Sequence, residues 1–362
     1  MKFTVLIFFL FLFFPASGSA QGVEGDALTE KTGRKLTESQ MISEAKKHLE
    51  ELSRKGEFSG SVLIASGGKP IFSEAYGLAD RDRGIVNKTD TKFNLGSINK
   101  LFTILAVGIL ADEGKLSFAD RLGKHLPDYP NKEAREKVTI EHLLTMQSGI
   151  GDIFGPKYET TPKSKLRSIK DYLPLFENEP LAFEPGTDRQ YSNGGFLVLG
   201  AIIEKISGKT YYDFVRQRIF KPIGMSDTES FESGERVANM AEGYMFSEES
   251  KKLINNVATR PARGSSAGGG YSTAPDLLKF ANALESGTFP TPKSLNSVRD
   301  PMLNGLGQGI LRFAGGAPGI NATISNKIKG KYTLIVLSNL DPPSANQASR
   351  KIDGLIESIE SD

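Results

Sequence analysis

Phe93-Asn94-Leu95-Gly96-Ser97-Ile98-Asn99-Lys100 leads into the apolar run Leu101 to Val107, and Tyr191-Ser192-Asn193 follows about ninety residues later, just after a Pro185-Gly186 turn. The run predicts a helix, and Ser97 and Lys100, three apart, share one of its faces, so the amine reaches the serine oxygen. A serine hydroxyl is a poor nucleophile at neutral pH and needs a neighbouring base. A lysine accepts a proton only in its neutral form, which an apolar setting such as Leu95, Ile98, Leu101, Phe102 and Ile104 favours. Tyr191 can share the proton, because a phenol becomes a base where a nearby cation stabilises its phenolate. The pattern points to serine acyl transfer.

A chain of this length contains roughly one or two Ser-x-x-Lys strings by chance. Ser43-Glu44-Ala45-Lys46 is a second one, but it lies in a polar amphipathic stretch without a Tyr-x-Asn partner and is expected on a solvated helix surface. Tyr-Ser-Asn alone more often marks a turn than a catalytic element. Order, spacing and the apolar context distinguish the pair at residues 97–100 and 191–193.

With these residues the chain resembles the serine β-lactamase-like superfamily, which includes class C β-lactamases, D,D-peptidases and related esterases. Phe93 to Lys100 is similar to that family's nucleophile segment, and Leu143-Leu144-Thr145-Met146-Gln147-Ser148-Gly149-Ile150 to its Leu-Leu-Thr-His-Thr-Ser-Gly stretch, with methionine in place of histidine. Phe183-Glu184-Pro185-Gly186-Thr187 leading to Tyr191-Ser192-Asn193, then Leu199-Gly200, Ile203-Glu204 and Gly224-Met225, resembles its second-motif region. Gly268-Gly269-Gly270-Tyr271-Ser272-Thr273-Ala274-Pro275-Asp276-Leu277 resembles its later glycine turn before a helix. The resemblance runs from about residue 40 to the end. It implies an α/β (α+β) fold of the β-lactamase/transpeptidase type, an antiparallel sheet flanked by helices with a mostly helical insert at about 97–225. It further implies Ser97, Lys100 and Tyr191 as catalytic groups and Asn193 orienting the lysine or a substrate amide.

The chain departs from the family at the third motif. There a strand carries Lys-Thr-Gly or His-x-Gly opposite the nucleophile, and the matching stretch here is Phe313-Ala314-Gly315-Gly316-Ala317-Pro318-Gly319. Phenylalanine takes the cationic or imidazole position, and Arg312 cannot replace it because adjacent strand residues point to opposite faces. The glycines keep the backbone usable. Gly315 and Gly316 permit close approach of substrate, and an amide near Gly316 can pair with that of Ser97 as an oxyanion hole.

Met1-Lys2, the apolar stretch Phe3 to Phe14, Pro15 and small residues through Ala20 predict a signal peptide at 1–20, hence a secreted or periplasmic protein. The apolar run is shorter than the ~20 residues that span a bilayer, so no integral span is expected after cleavage. Residues 21–36 read as a flexible leader and 37–362 as the hydrolase domain. The absence of cysteine excludes a disulfide framework, and a net charge of +2 with interspersed signs offers no basic face for nucleic acid. Asn-x-Thr strings at Asn87 and Asn321 carry no meaning in a bacterial host.

Thr37 and Gln40 predict a capping box, followed by Met41, Ala45, His48, Leu49 and Leu52 on one helix face. Residues 61–66 and 70–76 read as a hairpin, 319–325 and 332–339 as strands, and 345–359 as a terminal helix. Strands at both ends around a helical insert predict two lobes, and the resemblance implies a catalytic cleft between them.

Other chemistries fit less well. Gly264-Ser265-Ser266-Ala267-Gly268 matches the Gly-x-Ser-x-Gly elbow of α/β-hydrolases, with Ser266 as nucleophile, but those enzymes place their histidine after the serine and all three histidines here precede it. His48, His125 and His142 lack His-x-x-x-His spacing, so no metal is expected, and the sequence has no phosphate loop or dinucleotide fingerprint, so no cofactor is expected either. A small ester, amide or peptide is the expected substrate. A relative that binds ligand without turning it over is the other class the missing third-motif side chain permits.

Overall fold

The computed structural model describes residues 35–289 and 291–360. The expected signal peptide and nearly all of the expected leader lie outside the described residues. In chain order the elements that frame the site are α1 (Glu38–Arg54), β1 (Gly60–Ser66), β2 (Lys69–Tyr76), α2 (Lys100–Asp112), α3 (Asn193–Ser207), α4 (Ala274–Glu285), β3 (Arg312–Ala317), β4 (Ile320–Ile328), β5 (Tyr332–Ser338) and α5 (Ser344–Glu357).

The five strands form one antiparallel sheet in the order β2-β1-β5-β4-β3, so the N-terminal hairpin is joined to the C-terminal meander through β1 and β5. β1 and β5 are apolar almost without alternation, which in an antiparallel sheet requires cover on both faces. Val62, Ile64, Leu334 and Val336 pack with Met41, Ala45, Leu49, Leu52, Ile352 and Ile356 of α1 and α5. Their neighbours Leu63, Ala65, Ile335 and Leu337 point the other way, into the larger core built by the intervening helices. Alternation thus assigns each strand residue to one of two cores.

The Thr37–Gln40 capping box is present and starts α1. The leader does not extend to residue 36: Leu36 is buried, its amide donates to the Ser358 carbonyl at 2.9 Å and its carbonyl accepts from the Glu360 amide at 2.9 Å. An apolar side chain at the edge of the α1–α5 core gains more from packing against the C-terminal segment than from exposure to water.

Between β2 and β3 the chain leaves the sheet. Helix α2 is buried on nearly every side, as a helix without a polar face must be. Its Phe102 ring meets Phe220 and Phe280 edge-on at 4.9 and 5.4 Å. Short helices continue to Ile223, a hairpin pairs Tyr244–Ser247 with Lys252–Asn255, and the sheet is rejoined only at Arg312. β3 is therefore an edge strand, with one side open towards the helical region.

Candidate active site

Ser97 sits in a 3₁₀ turn, Gly96–Asn99, that runs directly into α2. Gly96 has φ +51, and a Cβ there would come within 2.8 Å of the Gly316 nitrogen, so glycine is required on both conformational and steric grounds. The Asn94 carboxamide oxygen accepts from the Gly96 amide at 2.9 Å and braces the turn. Upstream, Phe93–Asn94 pairs antiparallel with Tyr271–Ser272.

The buried loop before Tyr271 lies along the first turn of α2. Three successive carbonyls are read by three side chains: Ser265 by the Asn99 amide at 2.7 Å, Ser266 by the Thr103 hydroxyl at 2.7 Å, and Ala267 by the Lys100 ammonium at 2.5 Å. Lys100 is buried and also reaches the Tyr191 hydroxyl at 2.6 Å, the Asn193 carboxamide oxygen at 2.7 Å and the Ser97 hydroxyl at 3.2 Å. An ammonium has three protons, so the three short contacts exhaust them and the longer one to Ser97 is the weakest. Ser97 and Tyr191 meet at 2.6 Å, oxygen to oxygen. The rings of Tyr191 and Phe196 lie 4.8 and 5.4 Å from the Lys100 nitrogen, within cation–π range.

Tyr191 is positioned by α3. Ser192 caps that helix, accepting from the Gly195 amide at 2.9 Å while donating to the Gly151 carbonyl at 2.9 Å. A Cβ on Gly194 would lie 2.3 Å from the same carbonyl, so the glycine after Asn193 lets this loop close on the helix start. The loop brings in Asp152, which the motif reading missed. Its carboxylate accepts from the Asn193 side-chain nitrogen at 3.1 and 2.9 Å and from the Asn193 amide at 3.1 Å. A carboxylate only accepts and an ammonium only donates, so Asn193, held between Asp152 and Lys100, has one permitted orientation. A carboxylate four residues after Ser148 was the available signal, too common to stand out.

On the larger-core face of β3, a Cβ on Gly315 would lie 2.0 Å from the Leu95 carbonyl oxygen and 2.8 Å from the Ser97 nitrogen. The diglycine thus lies directly against the nucleophile turn. Phe313 shares the Gly315 face by alternation and is half-buried against the larger core. Arg312 is exposed and bears on Asp353 of α5, on the opposite face.

The elbow reading is overturned: Ser266 is fully buried, its hydroxyl has no hydrogen-bond partner, and a Cβ on Gly200 would touch it at 2.3 Å. No substrate reaches such a group. Ser43 is exposed and Lys46 pairs with Glu74 at 2.7 Å on the surface of α1. Met146, where the resembling family has histidine, adopts φ +59, a left-handed backbone that a long side chain disfavours. Its carbonyl accepts from the Gln190 amide at 3.0 Å, which ties this strained residue to the segment carrying Tyr191.

The family profile described as Beta-lactamase matches residues 45–354. A penicillin-binding protein of Bacillus subtilis (strain 168) is 31% identical over 332 residues, 83% of this chain and 73% of that protein. The crystal structure of a penicillin-binding protein from Bacillus halodurans superposes with a TM-score of 0.75 at 29% identity, covering 85% of this chain and 99% of that one. A D-amino acid amidase from Ochrobactrum anthropi SV3 shares the fold, with a TM-score of 0.70 at 22% identity over 87% of this chain and 98% of its own.

Proposed function

The chain belongs to the Beta-lactamase family, and from that premise we propose that it is a serine hydrolase working through an acyl-enzyme on Ser97, with esterase or peptidase activity and weak or no β-lactam turnover. The observation that carries this is the 2.6 Å contact between the Ser97 and Tyr191 hydroxyls, with Lys100 bonded to the same phenolic oxygen at 2.6 Å.

In this mechanism Tyr191, as a phenolate stabilised by the Lys100 ammonium, takes the Ser97 proton as Oγ attacks the substrate carbonyl, and the negative charge passes to the carbonyl oxygen. The amides of Ser97 and Gly316, both at the contact between β3 and the nucleophile turn, hold the oxyanion of the tetrahedral intermediate. Collapse expels the leaving group, which takes the proton from Tyr191. A water then repeats the sequence against the ester carbonyl and frees Ser97. Asn193, fixed by Asp152, keeps the lysine aimed at the tyrosine.

Phe313 supports esters, and peptides without a carboxylate beside the scissile bond, over β-lactams, because an apolar ring cannot hydrogen-bond the carboxylate that penicillins and cephalosporins carry. The same residue favours the second reading, a noncatalytic ligand-binding relative that keeps the pocket but has lost turnover. Export follows from the expected signal peptide at 1–20, and among the described residues no helix is long and apolar enough to cross a membrane.

The test is labelling of purified protein with a fluorophosphonate and a fluorescent penicillin, mapping the adduct by mass, beside a p-nitrophenyl ester turnover assay. An adduct on Ser97 with turnover supports the hydrolase. An adduct without turnover supports the binding relative, and an adduct elsewhere removes both.

A further inference from the structure

Asn321, second residue of β4, is 1% exposed, and its side chain makes four hydrogen bonds. Its oxygen accepts from the Ala345 and Asn346 amides at 2.7 and 3.1 Å, at the start of α5. Those groups can only donate, so they fix the orientation of the carboxamide. The nitrogen is left facing the Gly315 carbonyl at 3.1 Å and the Asn346 side-chain oxygen at 2.7 Å. The Asn-x-Thr string at 321 is therefore an interior feature, without access for modification.

The Gly315 carbonyl and the Gly316 N–H belong to one peptide group. That group is planar and trans, so its two polar ends point in opposite directions. The ladder pairing of Gly315 with Ala322 turns the carbonyl end to the paired side of β3, and Asn321, directly across from Gly316, adds a side-chain donor that clamps it there. The N–H end then points to the open edge, where Gly96 and Ser97 lie: a Cβ on Gly96 would be 2.8 Å from the Gly316 nitrogen. A peptide between two glycines on an edge strand has no side chain of its own to hold its plane. A hydrogen bond at the carbonyl also polarises the peptide and makes its N–H a stronger donor.

We infer that Asn321 is a positioning residue that aims and polarises the Gly316 amide as the second donor to the oxyanion, while its oxygen anchors α5. The inference rests on the reading of Ser97 as the acylated nucleophile.

Asn321→Asp separates the two halves of the side chain: it keeps an acceptor for the α5 amides and replaces the donor with an oxygen that repels the Gly315 carbonyl. Asn321→Ala removes both and is expected to lower the melting temperature more. Both variants, with Ser97→Ala as reference, are assayed for kcat and KM on a neutral p-nitrophenyl ester and its thiono analogue, whose sulfur is a poor acceptor for the hole. In the Asp variant, assayed well below its own melting temperature because a carboxylate buried between two oxygens costs stability, kcat for the oxygen ester should fall about 10- to 100-fold with little change in KM, and the preference for oxygen over sulfur should shrink in step. An unchanged kcat, or a lowered kcat with the oxygen preference intact, overturns the role and leaves Asn321 as an anchor of α5. Turnover that survives Ser97→Ala overturns the acyl-enzyme reading itself, and this inference with it.

Discussion

Tyr191 and Ser97, 94 positions apart in the chain, present their hydroxyls to one another at 2.6 Å, and the Lys100 nitrogen touches both. Nothing local to either segment produces this meeting. The serine is held by a turn locked to residues 265–272, and the tyrosine by the capped start of α3 resting on Gly151.

If Ser97 is the group acylated, Ser97→Ala should abolish adduct formation and lower turnover by roughly 10³- to 10⁶-fold, with folding nearly unchanged. Ser266→Ala is the contrast. It removes a buried hydroxyl without a partner, a group that costs stability, so the variant should keep its activity and melt no lower than the wild type. Loss of turnover in the second variant and not the first would restore the elbow serine.

Tyr191→Phe deletes the oxygen that Ser97 and Lys100 share and little else. Acylation monitored by the p-nitrophenol burst should slow by on the order of 10²- to 10⁴-fold, the contribution of a general base, with circular dichroism unchanged. A near-normal burst would take Tyr191 out of the proton path.

Asp152 is linked to Lys100 by hydrogen bonds through Asn193. Asp152→Ala leaves the Asn193 nitrogen without its acceptor, so kcat should drop about 10- to 100-fold while KM stays within a few-fold. Asp152→Asn offers an amide oxygen to the same nitrogen and should recover part of the loss. Equal rates in all three proteins would show that Asn193 needs no such brace.

The contrast between what the chain declares and what it conceals has a physical basis. Ser97 with Lys100, and Tyr191 with Asn193, are legible because each pair is set by local geometry and carries side chains of distinctive chemistry. The sheet is legible because the apolar runs at 61–66 and 332–338 are bounded by turns. Asp152 was not, because one carboxylate in a loop has no spacing partner and its role appears only when Gly194 lets residue 151 approach. The loop at 265–267 was misleading for a related reason: it contributes backbone carbonyls, which any residue supplies, so its sequence advertised a serine that the fold buries. Two-residue pairings such as Phe93–Asn94 with Tyr271–Ser272 are too short to show periodicity.

Burial pushes the Asp353 carboxyl up to about 6, with Arg312 offsetting part of the rise, and Asp353 has an oxygen without a partner. The folded state then binds a proton more tightly than the unfolded chain, whose aspartate titrates near 3.8. The associated stability is fully present below about pH 4 and is lost as pH rises through about 6. Asp353→Asn removes this loss. After allowance for solvent screening of a partly exposed group, it should gain about 1–2 kcal/mol at pH 7.5, a rise of a few degrees in Tm, and nothing at pH 4. A gain of equal size at both pH values would assign the effect to packing.

Phe313 places an apolar ring on the same strand face as Gly315, which abuts the Ser97 amide. Two residues along a strand is about 6.8 Å, within reach of a group attached beside the scissile bond. The ring can pack against an acyl chain or an aromatic leaving group but cannot bind a carboxylate. Substrates with a carboxylate at that place should therefore lack a charge-assisted hydrogen bond worth roughly 1.5–3 kcal/mol, about one to two orders of magnitude in kcat/KM, relative to neutral esters. Phe313→His returns a donor to the position and should recover part of the deficit, most of it at pH values where the imidazole is protonated. The measurement is kcat/KM for a neutral p-nitrophenyl ester and a chromogenic cephalosporin in both proteins. If the wild type already prefers the cephalosporin and the substitution leaves the ratio unchanged, Phe313 does not set the preference, and the carboxylate is met by another element of the cleft.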